Sequence, residues 1–146
     1  MGDERPHTDS QGCQSDRFWR ARPNLAAPDL SKRGGRGLIA LSPIAAGVLI
    51  DRACTVEIDA TQAEPLDRLQ PIGDYYFAHP ENPKAGLMAF GMVVLCNHTD
   101  DANGDIVWWK SIDLGWFADL IARRDIAAGE EITFRYRCPL WFAARD

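Results

Sequence analysis

The chain lacks a cysteine pattern, a long apolar run and a net positive charge, and each absence closes off a class of function. Its four cysteines, Cys13, Cys54, Cys96 and Cys138, show no CxxC spacing. Neither a zinc knuckle nor a disulfide framework is predicted, no metal is expected, and reduced, buried thiols are the default. No apolar stretch approaches the roughly 20 residues of a membrane span. The polar N-terminus carries no apolar signal core, so a cytoplasmic protein without membrane contact is expected. The formal charge of -5 argues against direct nucleic-acid binding, which needs a basic face to displace counterions. An acidic enzyme instead attracts basic protein tails. Lysine is scarce as well: Lys32, Lys84 and Lys110 stand against thirteen arginines, a compositional habit that carries no inference.

What is present is the core of one domain. At 146 residues and 46% hydrophobic, the chain is long enough to bury about two thirds of its unfolded surface and to fold without staples. Residues 1–24 are rich in Asp, Arg, Gln, Ser and Gly, with only Phe18 and Trp19 able to bury much area. Residues 1–28 are therefore predicted to be a disordered arm and residues 29–146 the folded domain. Phe18-Trp19 either docks on that domain or contacts another chain.

One stretch organises the rest. The apolar run from Gly91 to Cys96 stops at Asn97-His98, and Thr99-Asp100-Asp101-Ala102-Asn103-Gly104 comes next before Ile106 opens a second apolar run. Polar side chains placed where a buried segment ends offer backbone and side-chain groups to a ligand. The same residues also serve as plain turn formers, and ten residues alone do not choose between the two. Upstream, Lys32 to Gly37 is a glycine-dense turn, and a Rossmann reading is not favoured because the sequence predicts no strand before it and no ordinary helix after it.

The two ends of the domain match each other. Leu38-Ile39-Ala40 leads to Ile44-Ala45-Ala46-Gly47 and Ile50; Leu120-Ile121-Ala122 leads to Ile126-Ala127-Ala128-Gly129 and Ile132. Both spell LIAxxxIAAGxxI. Each copy reads as a strand, a glycine turn and a second strand, Val48 to Cys54 in the first and Glu131 to Tyr136 in the second. The segment between is an insert. It is expected to hold a short helix over Thr61–Leu69, an aromatic cluster at Asp74-Tyr75-Tyr76-Phe77, a Pro80 to Pro83 loop, and a Leu87–Cys96 segment buried on all sides. Ile106 to Trp109 and Trp116 to Arg123 are strand candidates.

Three of these motifs, in order, resemble a SET domain: Gly34 to Ala40 with Ile44 to Gly47; Asn97-His98-Thr99 with Asp101-Ala102-Asn103; and Gly129 to Tyr136. SET domains are S-adenosylmethionine-dependent protein-lysine methyltransferases. The Asp74 to Phe77 segment and the compact size are most similar to the small viral histone-methylating SET proteins and their bacterial relatives. The resemblance covers about Lys32 to Phe142. It implies a mostly β fold, a β-clip of several small sheets with short helices and a knot-like threading of Asn97-His98 beneath the C-terminal region. It further implies that Gly35, Arg36, Gly37 and Asn97 receive the methionine part of the cofactor. By the same resemblance the backbone around His98 binds adenine, Trp141 packs on the adenine ring, Tyr136 stands beside the transfer site and Tyr75 is the second wall.

The chemistry agrees with such residues. Methyl transfer from a sulfonium to an amine needs a neutral nitrogen and a close approach, so proximity is the main lever. With a reference pKa near 10.4, about one lysine in a thousand is neutral at pH 7.4. A dry channel favours that form, and tyrosine suits it because its ring is apolar while its hydroxyl directs a lone pair. No metal or general-base carboxylate is required.

The sequence departs from the SET pattern at several points. Thr99 stands for the usual serine, Ala102 for the usual proline, and Arg135 and Arg137 flank Tyr136 where small or acidic residues are usual. No cysteine cluster comes after Tyr136, so the zinc-bound tail of larger relatives is missing. Compact relatives complete one another as homodimers, which the resemblance extends to this chain. The expected partner is a protein or peptide bearing a lysine, and the expected by-product is S-adenosylhomocysteine. The alternative is a SET-fold module that binds a peptide or the cofactor with little or no turnover.

Overall fold

The structure is a computed structural model that describes residues 25–136. The arm before Asn24, Arg137 and Trp141 lie outside the described residues. Among the described residues, nine strands assemble into two sheets. The first contains, in spatial order, β1 (Ala26–Leu30), β2 (Arg36–Ala40), β9 (Glu131–Phe134) and β6 (Asn97–His98). The second contains β4 (Tyr76–Ala78), β5 (Gly86–Phe90), β3 (Leu49–Ile58), β8 (Gly115–Ala122) and β7 (Gly104–Ser111). Every pair is antiparallel except β6 with β9, which run parallel. The fold is thus the mostly β, multi-sheet arrangement expected, and pairing starts at Ala26, ahead of Asp29.

The two LIAxxxIAAGxxI copies are bonded to each other rather than each to itself. Ile44 N–H donates to the Ile126 carbonyl at 2.9 Å and Ile126 N–H returns the bond at 2.8 Å. Gly47 N–H reaches the Ala122 carbonyl at 2.8 Å, and Gly129 N–H reaches Ala40 at 2.7 Å. Both glycines turn at φ 80, a left-handed conformation that a side chain would strain. The first strand of each copy then pairs with the second strand of the other, as Leu38↔Ile132 and Leu49↔Ile121 show. Leu38, Ala40, Ile44 and Ile50 meet Leu120, Ala122, Ile126 and Ile132 at the centre of the core, none more than 4% exposed. Burying each isoleucine or leucine there is worth roughly 1.5–3 kcal/mol.

The insert differs from expectation in two places. The helix α1 runs over Ala60–Leu66 and not to Leu69. Asp59 accepts from the Thr61 and Gln62 N–H groups while Gln62 reaches back to Asp59 N–H, a capping box that fixes its start. Only Ala63 of the helix is buried, and Leu69 is exposed. The segment Leu87–Cys96 is not buried on all sides. It splits into β5 and a single 3-10 turn, Met92–Leu95, with a break at Gly91, and Phe90 is 59% exposed.

Candidate functional site

β9 is the spine of the site, because it is flanked by the glycine-led strand β2 on one side and by Asn97-His98 on the other. Asn97 lies opposite Thr133 and His98 opposite Phe134. The Asn97 side-chain amide donates twice, to the Arg36 carbonyl at 3.0 Å and to Glu131 Oε1 at 2.7 Å. Both amide protons are therefore held by the protein, whereas nothing among the described residues donates to Asn97 Oδ1. Glu131 is held in turn, its Oε2 accepting from Ser31 Oγ at 2.8 Å. Gly37 makes the approach possible: a Cβ there would stand 2.5 Å from Glu131 Oε1 and 3.1 Å from the Ser31 Cβ. Gly35 sits in the exposed turn just before, at φ +71.

Tyr136 closes the other side. Its N–H donates to His98 Nδ1 at 3.0 Å and its phenol donates to the Cys96 carbonyl at 2.9 Å. An accepting Nδ1 places the proton of the neutral imidazole on Nε2, 3.7 Å from the Asp100 carboxylate. The rings of His98, Tyr136, Phe134, Phe77 and Trp108 succeed one another with centroids 4.8–5.8 Å apart. That apolar chain keeps water from one flank of the phenol. Burial pushes the Cys96 thiol far up, with the Asp51 and Glu131 charges adding to the effect, so this cysteine stays protonated and is no nucleophile.

Tyr75 joins through Arg36, whose guanidinium donates to the Tyr75 hydroxyl at 3.1 Å while its carbonyl holds Asn97. Tyr75 is 37% exposed, at the surface end of this chain of bonds. The structure thus links Gly35, Arg36, Gly37, Asn97, His98, Tyr136 and Tyr75 into one constellation. Of the residues expected in it, Trp141 alone falls outside the described part. Arg135 points to solvent, its side chain 70% exposed and 3.7 Å from Asp100. Among the described residues no cluster of three His, Cys, Asp or Glu side chains is placed to hold a metal.

Two further residues build the site, and both were passed over in the sequence. Glu131 organises Asn97 through the bond to its amide. Asn103 is buried, donates to Glu130 Oε1 at 3.0 Å and to the Glu131 carbonyl at 2.8 Å, and accepts from Thr133 N–H at 2.9 Å. It pins β9 from behind. Arg124, at 2.7 Å, pulls the Glu130 carboxyl down to about 2. The one signal in the sequence was position: both residues stand inside the SET-like motifs, Asn103 in the turn after His98 and Glu131 after Gly129.

Comparison with known proteins adds the lineage. The SET domain family model matches residues 35–137. A histone-lysine N-methyltransferase of Schizosaccharomyces pombe, specific for H3 lysine-37, is 29% identical over 112 residues, 77% of this chain and 73% of that protein. The crystal structure of a Plasmodium falciparum protein assigned as a histone methyltransferase superposes with a TM-score of 0.62 at 23% identity, covering 82% of this chain and 98% of that one. A chain of an active polycomb repressive complex 2 gives 0.67 at 23% identity, over 89% of this chain and 17% of that one. With the family model spanning most of its length and the motif residues meeting around β9, this chain belongs to the SET-domain family.

Proposed function

We propose that the protein transfers a methyl group from S-adenosylmethionine to the side-chain amine of a lysine in a protein or peptide. The observation that carries this is the meeting of Asn97-His98 with Tyr136, whose phenol and main-chain N–H are both fixed by the 96–98 segment. S-adenosylmethionine, when bound, supplies a methyl on a positively charged sulfur and departs as the thioether S-adenosylhomocysteine. The residues fit it: Asn97 Oδ1 is an acceptor without a donor among the described residues, suited to an ammonium group, and the Gly35-Arg36-Gly37 backbone lies beside it. Gly35, Arg36, Gly37, Asn97 and the backbone at His98 would hold the cofactor.

Tyr136 then works by position. Its ring, backed by Phe134 and His98, withholds water from an incoming ammonium and so favours the neutral amine. Its hydroxyl proton rests on the Cys96 carbonyl, which turns the oxygen's accepting side toward the amine. Tyr75, steadied by Arg36, provides the outer wall. Arg135 turns its side chain to the surface beside Asp100, whereas the Tyr136 phenol turns to the Cys96 carbonyl, which weighs against a module without turnover. Histone tails head the substrate panel, since the fission-yeast relative is a histone methyltransferase and a chain of net charge -5 attracts basic segments.

Tyr136→Phe tests the reading. The variant is expected to keep its melting temperature and its affinity for S-adenosylmethionine, while transfer of labelled methyl to histone peptides falls about 100-fold, the scale of losing one oriented polar group at a reacting centre. Full activity in the variant refutes the assignment.

A further inference from the structure

Asp51 stands in β3 immediately after a bulge that separates the pairs Leu49↔Ile121 and Asp51↔Leu120. Uninterrupted pairing would have set Asp51 opposite Asp119, on the face of the sheet that carries Arg52 and Asp119. The extra residue turns it to the core face, beside Leu120 and Ala118. A carboxylate sent inward needs partners. Asp51 finds one at the start of the 3-10 turn, where its Oδ2 accepts from Val93 N–H at 2.9 Å, and the nearby Met92 and Arg52 N–H groups favour its charged form.

Gly91 permits this contact, because a Cβ there would lie 2.6 Å from Asp51 Oδ2 and 2.7 Å from the Ala53 Cβ. Gly91 itself has no side chain to cap the turn. The cap therefore comes from another strand. The turn ends where Cys96 N–H bonds to the Val93 carbonyl at 3.2 Å, and the carbonyl of that same Cys96 receives the Tyr136 phenol. Asp51 is thus connected to the phenol through one turn of backbone. Burial raises its carboxyl above the ordinary range, opposed by those backbone donors and reinforced by the Asp119 charge.

We propose that Asp51 is a positioning residue for methyl transfer: by capping the Met92–Leu95 turn from β3, it sets the Cys96 carbonyl and hence the direction of the Tyr136 hydroxyl. The inference rests on the reading that places Tyr136 beside the transfer site. Asp51 touches no reacting atom in this account. It acts only through Tyr136, and that restriction makes it testable.

The experiment compares Asp51→Ala and Asp51→Asn, each alone and combined with Tyr136→Phe, in the full chain. Asn keeps an oxygen for Val93 N–H, so it serves if Ala folds poorly. Asp51→Ala is expected to lower kcat on a histone peptide about tenfold, a cost in keeping with slight misplacement of a reacting group. The peptide KM and the cofactor Kd stay unchanged, Asn loses less, and amide exchange at Val93 and Cys96 quickens. In the Tyr136→Phe background the same change lowers kcat no further, because the group it orients is already gone. An equal loss in both backgrounds, or a shift in KM and Kd with kcat intact, overturns the inference and leaves only a structural role. Unchanged kcat in Asp51→Ala of an active enzyme overturns it as well. A wild-type protein that binds cofactor and labels no peptide overturns the methyl-transfer reading, and the inference with it.

Discussion

The two LIAxxxIAAGxxI copies share a backbone plan and differ in the pair of residues after the glycine. Gly47 leads into Val48 and Leu49, which pack on the core or partly expose apolar surface; Gly129 leads into Glu130 and Glu131, which bond to Arg124, Asn103, Asn97 and Ser31. The strand after the first turn runs ten residues within a five-stranded sheet. The strand after the second stops at Phe134, four residues long, and delivers Tyr136. The lesson is a division of labour: one pattern, used twice, makes the frame, and the polar residues at the variable positions of the second copy, Glu130 and Glu131 with Arg124, build the site on β9.

Three measurements bear on whether the two copies do separate work. The largest effect concerns the shared frame. Ile44→Ala and Ile126→Ala should each cost about 3 kcal/mol in denaturant unfolding, and the double variant should cost less than the sum because the two residues bridge one another. A near-neutral Ile44→Ala would break the equivalence of the copies. The next concerns Glu131 against Leu49. Glu131→Gln should weaken S-adenosylmethionine binding about tenfold by calorimetry, since Asn97 loses a charged acceptor, whereas Leu49→Ala should leave affinity unchanged.

The smallest effect concerns Glu130 against Val48. The Arg124 guanidinium holds the folded Glu130 carboxyl at about 2, below its ordinary 4.5, so the group contributes stability above pH 4.5 that is lost as pH falls toward about 2. Glu130→Gln should therefore melt below wild type at pH 7, with the gap closing across that acid range. Val48→Ala should show a gap with no such acid dependence. A Glu130→Gln gap that persists at pH 2 would assign its cause to packing.

Much of this was legible in the residues. Alternating apolar positions and the glycine of each copy announced the strands and turns, Asn97-His98 stood out by sitting where an apolar run ends, and Tyr136 entered only through the resemblance of residues 129–136 to a SET motif. The exchange of partners between copies was not legible, because periodicity says that a segment is a strand and not which strand it joins. Leu87–Cys96 misled because an unbroken apolar run hides the break at Gly91, where the carboxylate of another strand needs room. Asp51 was hidden for a related reason: one inserted residue reverses which face a side chain takes, and a period of two cannot announce the insertion. Glu131 and Asn103 look like surface residues until their partners, distant in sequence, are in place.

The reciprocal bonding of the two copies also decides when the molecule can first exist. Ala46 N–H is held by the Asp125 carboxylate at a separation of 79 positions, and contacts so far apart in sequence form late because the loop must close before they repay it. A chain emerging from the ribosome would display its glycine turn and its Asn-His pair long before β9 appears to hold them. The described part of the site is then completed late, when β9 takes its place between β2 and β6.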